Sequence, residues 1–177
     1  QASELGHCSY VTHDKVLPDY QWFTPDKLRS KAQSTLGDRA RLRAALDRYQ
    51  KGEQLTVVFL GGSITAGQGV ADGHSFPVWA EDVFNNSLTK QGGNVKVHNG
   101  AVPGTVSSYM SVCHNMHVPK EADIVFVEYS VNDDWLPYPP MNNNVRRPFE
   151  RLIRTLLSYP RRPAIVLVHA FVWHRVE

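Results

Sequence analysis

The chain has 177 residues, a formal net charge of +2 and 42% hydrophobic residues. This length and apolar content suit one domain with a sizeable core and exclude wholesale disorder. The net charge is too small to indicate a nucleic-acid partner, and no apolar run approaches the ~20 residues of a membrane span.

The start of the chain indicates processing. The first residue is Gln1 rather than Met, and no signal-peptide pattern follows it. We therefore expect either a fragment or a chain from which a secretory signal was removed. The second option predicts a secreted or secretory-pathway protein.

Two further features fit an oxidising compartment. Asn85-Asn86-Ser87 is a glycosylation sequon, a pattern that also arises by chance. The two cysteines, Cys8 and Cys113, are compatible with one disulfide bond or with two buried thiols. We take the Cys8–Cys113 disulfide bond as the prediction to test.

The first part of the chain has no recognisable pattern. Residues 1–35 are mixed and contain proline, and they predict an irregular amino-terminal arm ahead of a domain over 36–177. Asp38 then predicts the cap of a helix that ends near Gln50. The apolar face of this helix carries Leu42, Ala45, Leu46 and Tyr49. Its arginines favour a solvated helix face over a phosphate-binding patch.

Helices and strands alternate from there on. The apolar runs that predict strands are Val57–Leu60, Val95–Ala101, Asp123–Tyr129 and Ala164–Val172. The predicted helices between them run from Ser75 to about Gly92, from Thr105 to Met116, and through Phe149, Leu152, Ile153 and Leu156. In the middle helix, periodicity predicts that Val106, Tyr109, Met110 and Cys113 face the core. This alternation predicts a three-layer α/β/α sandwich with a parallel sheet.

One serine stands where such sheets place their chemistry. The first strand breaks at Gly61-Gly62, and Ser63 follows at its carboxyl end. The α/β-hydrolase elbow would need glycine at position 65, which is Thr65. The nearby glycines do not form G-x-G-x-x-G, which argues against a dinucleotide site. A lone serine in a glycine-rich turn is more often structural, or part of a phosphate-binding loop.

Three short blocks favour a catalytic role instead. Gly61–Thr65 resembles block I of the SGNH (GDSL-type) esterase superfamily, GDS-x-T. Asn99–Gly104 resembles block II, and Ser130–Asp133 resembles block III, G-x-N-D. Each block follows an apolar strand-like run.

The resemblance implies a flavodoxin-like fold with strand order 2-1-3-4 and a serine esterase acting on an ester such as an acetylated carbohydrate. Ser63 would be the nucleophile, with oxyanion donors from the N–H groups of Ser63 and Gly104 and the side-chain amide of Asn132. The candidate substrate-binding residues are Gly62, His74, Asp133 and His174. No cofactor or metal is expected, since His114 and His117 lack a third ligand and are interpreted as surface or core histidines.

The chain departs from the family at three places. Gly62 replaces the block I aspartate, Ser130 replaces the block III glycine, and no D-x-x-H block occurs. We therefore expect that the last strand, the last helix and the His–Asp pair belong to the remainder of a longer protein or to a second chain. Residues 1–177 alone are then predicted to be insoluble or inactive. The alternative is an inactive module that binds glycan or serves an assembly.

Overall fold

The computed structural model describes residues 24–33, 35–88, 94–134 and 138–170. The chain divides into two compact units between Leu36 and Gly37. In the described part of the first unit, helix α1 (Asp26–Lys31) forms where the sequence predicted irregular chain. The remaining elements belong to the second unit.

The second unit alternates helices and strands. Its described strands are β1 (Leu55–Gly61), β2 (Val95–Asn99), β3 (Ile124–Glu128) and β4 (Ala164–Leu167). Its described helices are α2 (Ala40–Gln50), α3 (Ser63–Ala66), α4 (Phe76–Leu88), α5 (Ser107–His117) and α6 (Arg146–Leu157), with a 3₁₀ turn at Ala71–Gly73. The N-cap of α2 is Arg39 and not the predicted Asp38, but Asp38 Oδ1 accepts a hydrogen bond from the N–H of Ala40, the first residue of the helix, at 2.8 Å.

The four strands form one parallel sheet in the order β2-β1-β3-β4, which confirms the order expected from the resemblance. In this order β1 and β3 are neighbours. Gly61 at the end of β1 pairs with Glu128 at the end of β3. The segments that follow these two strands, which carry Ser63 and Asn132, therefore leave the sheet side by side.

Helices cover both faces of the sheet. On one face, Val58, Leu60, Val125 and Val127 pack with residues of α5 and α6, among them Met110, Leu152 and Leu156. On the other face, Val57, Phe59 and Ile124 pack with α2 and α4 through Ala45, Tyr49, Phe84 and Leu88. Successive strand residues point to opposite faces, and helices cover both faces. All seven residues of β1 are therefore buried. The three-layer α/β/α sandwich is confirmed.

The predicted core face of α5 was wrong at Val106 and Tyr109, which are exposed, although Met110 is fully buried and Cys113 half-buried. Ser107, Met110 and Ser111 are the buried positions, whereas Tyr109 is 37% exposed and Val112 is 69% exposed. The buried stripe therefore lies one position away from the predicted one, a rotation of roughly 100° at 3.6 residues per turn.

Two other features of these elements stand out. Trp79 of α4 is 58% exposed, whereas the neighbouring Ala80 packs against the core. Strand β4 ends at Leu167, before the predicted Val172. Within the part of the chain that is described, none of the helices is long and apolar enough to cross a membrane.

An ionic network fixes the amino ends of the strands. Asp123, which is 1% exposed, accepts hydrogen bonds from Arg48 Nη2 at 2.6 Å and from Arg161 Nε at 2.9 Å. Its second oxygen accepts the Thr56 N–H at 2.9 Å. Hydrogen bonding to Asp123 raises the pKa of Arg161. One buried carboxylate thus joins α2, β1 and the loop before β4.

Candidate active site

Ser63 is the first residue of α3, directly after β1 and Gly62. Its carbonyl oxygen accepts the N–H groups of Gly67 at 3.0 Å and Gln68 at 2.9 Å, and Gly67 ends the turn with a φ of 87°. The serine side chain is half-buried. Within the described part of the chain its hydroxyl has no hydrogen-bond partner, so it is not committed to holding the turn.

Thr65 supports this turn from below. Its side chain is fully buried and packs on Gly61, where an added Cβ would overlap Thr65 Oγ1 and lie 2.7 Å from the Glu128 carbonyl oxygen. Asn99 Nδ2 donates a hydrogen bond to the Thr65 carbonyl at 3.2 Å. Sequence reasoning treated position 65 only as a motif match, whereas the structure shows it as the packing residue beneath the serine turn.

Asn132 lies next to the serine turn. The tight turn that carries it is closed by Asn132 N–H and Asp133 N–H, which donate to the Tyr129 carbonyl at 3.1 and 2.8 Å. A Cβ at Gly62 would overlap the Asn132 amide oxygen and lie 2.8 Å from its Nδ2. Blocks I and III are therefore in contact. One face of Gly62, predicted to bind substrate, is covered by this amide.

Block II crosses the end of β1. The Val102 N–H donates to the Gly61 carbonyl at 3.0 Å, and Thr105 Oγ1 donates to the Val102 carbonyl at 2.7 Å. Gly104 is exposed, with a φ of 72°, a conformation that favours glycine. No described atom lies within 4 Å of where its Cβ would be. Its backbone is thus open on that side.

Asp133 makes a contact that the sequence did not predict. Its Oδ1 accepts the Ser107 N–H at 2.8 Å, at the first residue of α5. One oxygen of this predicted substrate-binding residue is thereby committed to the protein. The predicted substrate-binding residue His74 is exposed, and the centre of its ring lies 5.6 Å from the centre of the Trp79 ring.

Other predicted residues stay untested. His174 and Cys8 lie outside the described residues. Cys113 is half-buried and free in the structure. Asn85 lies half-buried within α4. The disulfide bond and the glycan therefore remain predictions.

The two histidines of α5 each contact a tyrosine. His114 Nδ1 lies 2.7 Å from the Tyr159 hydroxyl, and His117 Nε2 lies 3.1 Å from the Tyr109 hydroxyl. Burial, and then the charge of Lys120, lower the pKa of His114. Among the described residues, no group of three metal-ligating side chains comes together.

Sequence reasoning missed a buried carboxylate beside the site. Glu128 is 2% exposed and its Oε1 accepts a hydrogen bond from Ser130 Oγ at 2.7 Å. Ser130 Oγ in turn accepts the Ala170 N–H at 2.9 Å. The serine that replaces the family glycine thus joins the end of β3 to the chain after β4. An acidic residue within an apolar strand was the available signal.

A cavity of about 280 Å³ opens beside this connection. It is lined by Tyr129, Ser130, Asp133, Arg146, Phe149 and His169 among others, but by neither Ser63 nor Asn132. The cavity therefore borders the block III turn without containing the candidate nucleophile. Burial raises the pKa of the Tyr129 hydroxyl well above its usual range, so this group is neutral at physiological pH.

Comparisons with known proteins agree with this arrangement. The model of the GDSL-like lipase/acylhydrolase family matches residues 59–175. No curated protein matches the chain. The crystal structure of a two-domain esterase (CEX) active on acetylated mannans matches with 28% identity and a TM-score of 0.67. That match covers 76% of this chain and 35% of that protein, so this chain spans about a third of its length.

Two further structures extend the comparison. The same esterase co-crystallized with mannopentaose matches with 29% identity and a TM-score of 0.66, over 75% of this chain and 35% of that one. A point mutant of the esterase AlinE4 shares 22% identity at a TM-score of 0.50, over 66% of this chain and 59% of that one, and supports the fold alone. With the family model matched over most of the chain and the three blocks meeting at one edge of the sheet, the chain belongs to the GDSL-like lipase/acylhydrolase family.

Proposed function

We propose that this chain carries the nucleophile and the oxyanion donors of a serine esterase. Ser63 is the nucleophile, and the donors are the N–H groups of Ser63 and Gly104 and Nδ2 of Asn132. The observation that supports this most is the contact between the Asn132 amide and Gly62, which puts a neutral donor beside the serine.

The chemistry follows from these positions. Ser63 Oγ attacks the ester carbonyl carbon and loses its proton to a general base, while the carbonyl oxygen becomes an oxyanion. Donors fixed about 2.7–3.1 Å from that oxygen stabilise the transition state, and each is worth about 10²–10³ in turnover. The alcohol then leaves with a proton from the base, and water hydrolyses the acyl-serine.

The general base is proposed to lie outside the described residues. No D-x-x-H occurs in the 177 residues. A serine hydroxyl without a base is a weak nucleophile. We therefore propose that a His–Asp pair from the remainder of the protein, or from a second chain, completes the site.

The proposed substrate is an acetyl ester on a carbohydrate. The support is the two-domain esterase described as active on acetylated mannans, to which this chain is 28% identical over 76% of its length. A substrate of this kind is a polysaccharide outside cells, which supports the proposal of secretion.

A fluorophosphonate probe and acetylated mannan test the proposal on the full-length protein. We expect Ser63 to take the label, and Ser63→Ala to abolish both labelling and acetate release. Ser158→Ala is the matched control because Ser158 is exposed at the end of α6 and donates to the Thr155 carbonyl. Labelling that survives Ser63→Ala contradicts the proposal.

The main rival is a glycan-binding module without catalysis. One observation favours it: Gly62 stands in place of the family aspartate. A full-length protein that binds mannan, takes no label and releases no acetate establishes the rival.

A further inference from the structure

We propose that Asp133 is a positioning residue that holds Asn132 and Gly104 in a fixed relation. This inference rests on the proposed function, since these two residues matter in this way only if they provide oxyanion donors. The sequence predicted that Asp133 contacts substrate. The structure supports a different role for it.

On one side, Asp133 belongs to the turn that carries Asn132. The Asp133 N–H and the Asn132 N–H both donate to the Tyr129 carbonyl, at 2.8 and 3.1 Å. Asp133 is the next residue after Asn132 in this tight turn. A displacement of Asp133 therefore also displaces Asn132, because one peptide bond joins the two residues.

On the other side, Asp133 holds the start of α5. Its Oδ1 accepts the Ser107 N–H at 2.8 Å, three residues after Gly104. No described atom lies within 4 Å of where a Gly104 Cβ would be, so no packing there restrains this glycine. The bond from Val102 to Gly61 restrains the loop before Gly104, and the bonds from Thr105 to the Val102 carbonyl close it locally. The Asp133 contact is the restraint that ties it to the block III turn.

The proposed oxyanion donors of Gly104 and Asn132 act only if they stay at hydrogen-bond distance from the developing oxyanion. A misplacement of about 1 Å can cost about 10²-fold in rate. A helix cap contributes only about 1 kcal/mol to stability, and α5 is also held by the fully buried Met110. Loss of the Asp133 bond should therefore lower kcat far more than it lowers the melting temperature.

The hydrogen bond from the Ser107 N–H needs an acceptor oxygen at position 133, but it does not need a negative charge there. Asparagine places a carbonyl oxygen where Oδ1 of aspartate lies, so Asp133→Asn keeps the hydrogen bond. A charge near the developing oxyanion opposes catalysis, and its loss does no harm to the chemistry. Rescue by asparagine thus separates a positioning role from an acid–base role.

The experiment measures hydrolysis of 4-nitrophenyl acetate by the full-length protein. We expect Asp133→Ala to lower kcat by about 10²-fold with little change in KM, and Asp133→Asn to restore most of it. The matched control is Asp38→Ala, which removes a hydrogen bond of the same 2.8 Å length to the first N–H of α2. It should leave kcat unchanged.

A second variant removes the donor instead of the acceptor. Ser107→Pro deletes the N–H at the first position of α5, where proline is tolerated, and the preceding Val106 is already extended with a ψ of 167°. It should lower kcat as Asp133→Ala does, and the double variant should lose no more than either single one. This variant also answers the question if Asp133→Ala fails to fold.

Three outcomes overturn the inference. They are an unchanged kcat in Asp133→Ala, an Asp133→Asn variant as slow as the alanine, and a raised KM at normal kcat, which is the substrate contact predicted from sequence. All three outcomes are read only after the wild-type protein has been shown to hydrolyse the ester through Ser63. Failure of the proposed function looks different, because the wild-type protein would then show no hydrolysis or hydrolysis that survives Ser63→Ala.

Discussion

The side-chain amide of Asn132 lies directly against the α-carbon of Gly62, leaving no space for a side chain at position 62. As the turns stand in this chain, the family aspartate would not fit at position 62 without displacing the Asn132 amide. The glycine admits the amide. Restoring the aspartate should therefore harm the site instead of improving it.

The first prediction follows from this contact. Gly62→Ala should lower kcat by about 10²-fold, because the new Cβ displaces the Asn132 amide. The melting temperature should change little, since the displaced atoms belong to a side chain. Gly61→Ala is the contrast, because its Cβ would lie 2.7 Å from the Glu128 backbone oxygen and should cost stability. A Gly62→Asp protein with full activity contradicts the argument.

The second prediction concerns Asn132 itself. Asn132→Ala should lower turnover by about 10²–10³-fold and leave folding nearly intact. Its amide is half-buried and has no hydrogen bond within the described part of the chain.

Asn143 provides the matched control for this amide. It is 4% exposed, donates to the Pro139 carbonyl and accepts the N–H groups of Val145 and Arg146. Asn143→Ala should lower the melting temperature and spare kcat. The reverse pattern in the two variants would assign Asn132 a structural role.

The third prediction concerns the Asp123 network. Asp123→Ala should destabilise the protein by about 1.5–3 kcal/mol, because it removes charge-assisted hydrogen bonds to Arg48 and Arg161, although Arg161 keeps its pair with Glu53. Glu150→Gln is the control, since the Glu150–Arg154 pair is exposed and contributes about 0.3–0.5 kcal/mol. Denaturant unfolding measures both. Equal losses would show that the buried network adds nothing beyond a surface pair.

The fourth prediction is a pH dependence. The pKa of His114 in the folded protein lies below its ordinary 6.5, chiefly because of burial. The unfolded chain then binds the proton more tightly than the folded protein does. The contribution of neutral His114 to the free energy of unfolding is therefore fully present above about pH 6.5. It falls as the pH drops toward and through the pKa of the folded protein. His114→Gln should remove this part of the decline, measured by urea unfolding at pH 5 to 8. An unchanged pH profile contradicts it.

Sequence reasoning succeeded where one physical effect dominated. The run Val57–Leu60 reads as a strand because β1 is buried on both faces, so every residue is apolar or small. The strand order came from the family resemblance. It was correct, and it brought Ser63 and Asn132 to neighbouring strand ends.

Sequence reasoning failed where contacts depend on tertiary placement. The apolar positions of α5 suggested the wrong core face, because Ser107 and Ser111 pack under the helix while Val112 stays exposed. No local pattern could show that Ser130 accepts a hydrogen bond from Ala170, forty residues later. The hydrogen bond of Asp133 was missed for the same reason, since its partner Ser107 lies 26 residues earlier, outside the three blocks.

The Asp123 network also has a kinetic consequence for the sheet. The Asp123 N–H donates to Thr56, its carbonyl accepts from Ala164, and its side chain binds two arginines, all at the amino end of the strands. At the opposite end, the segments that carry Ser63, Gly104 and Asn132 are half-buried or exposed. Amide hydrogens should therefore exchange slowly at Thr56 and Ala164 and faster near Asn132. The amino end of the sheet is then expected to be the last part of this unit to open when the protein unfolds.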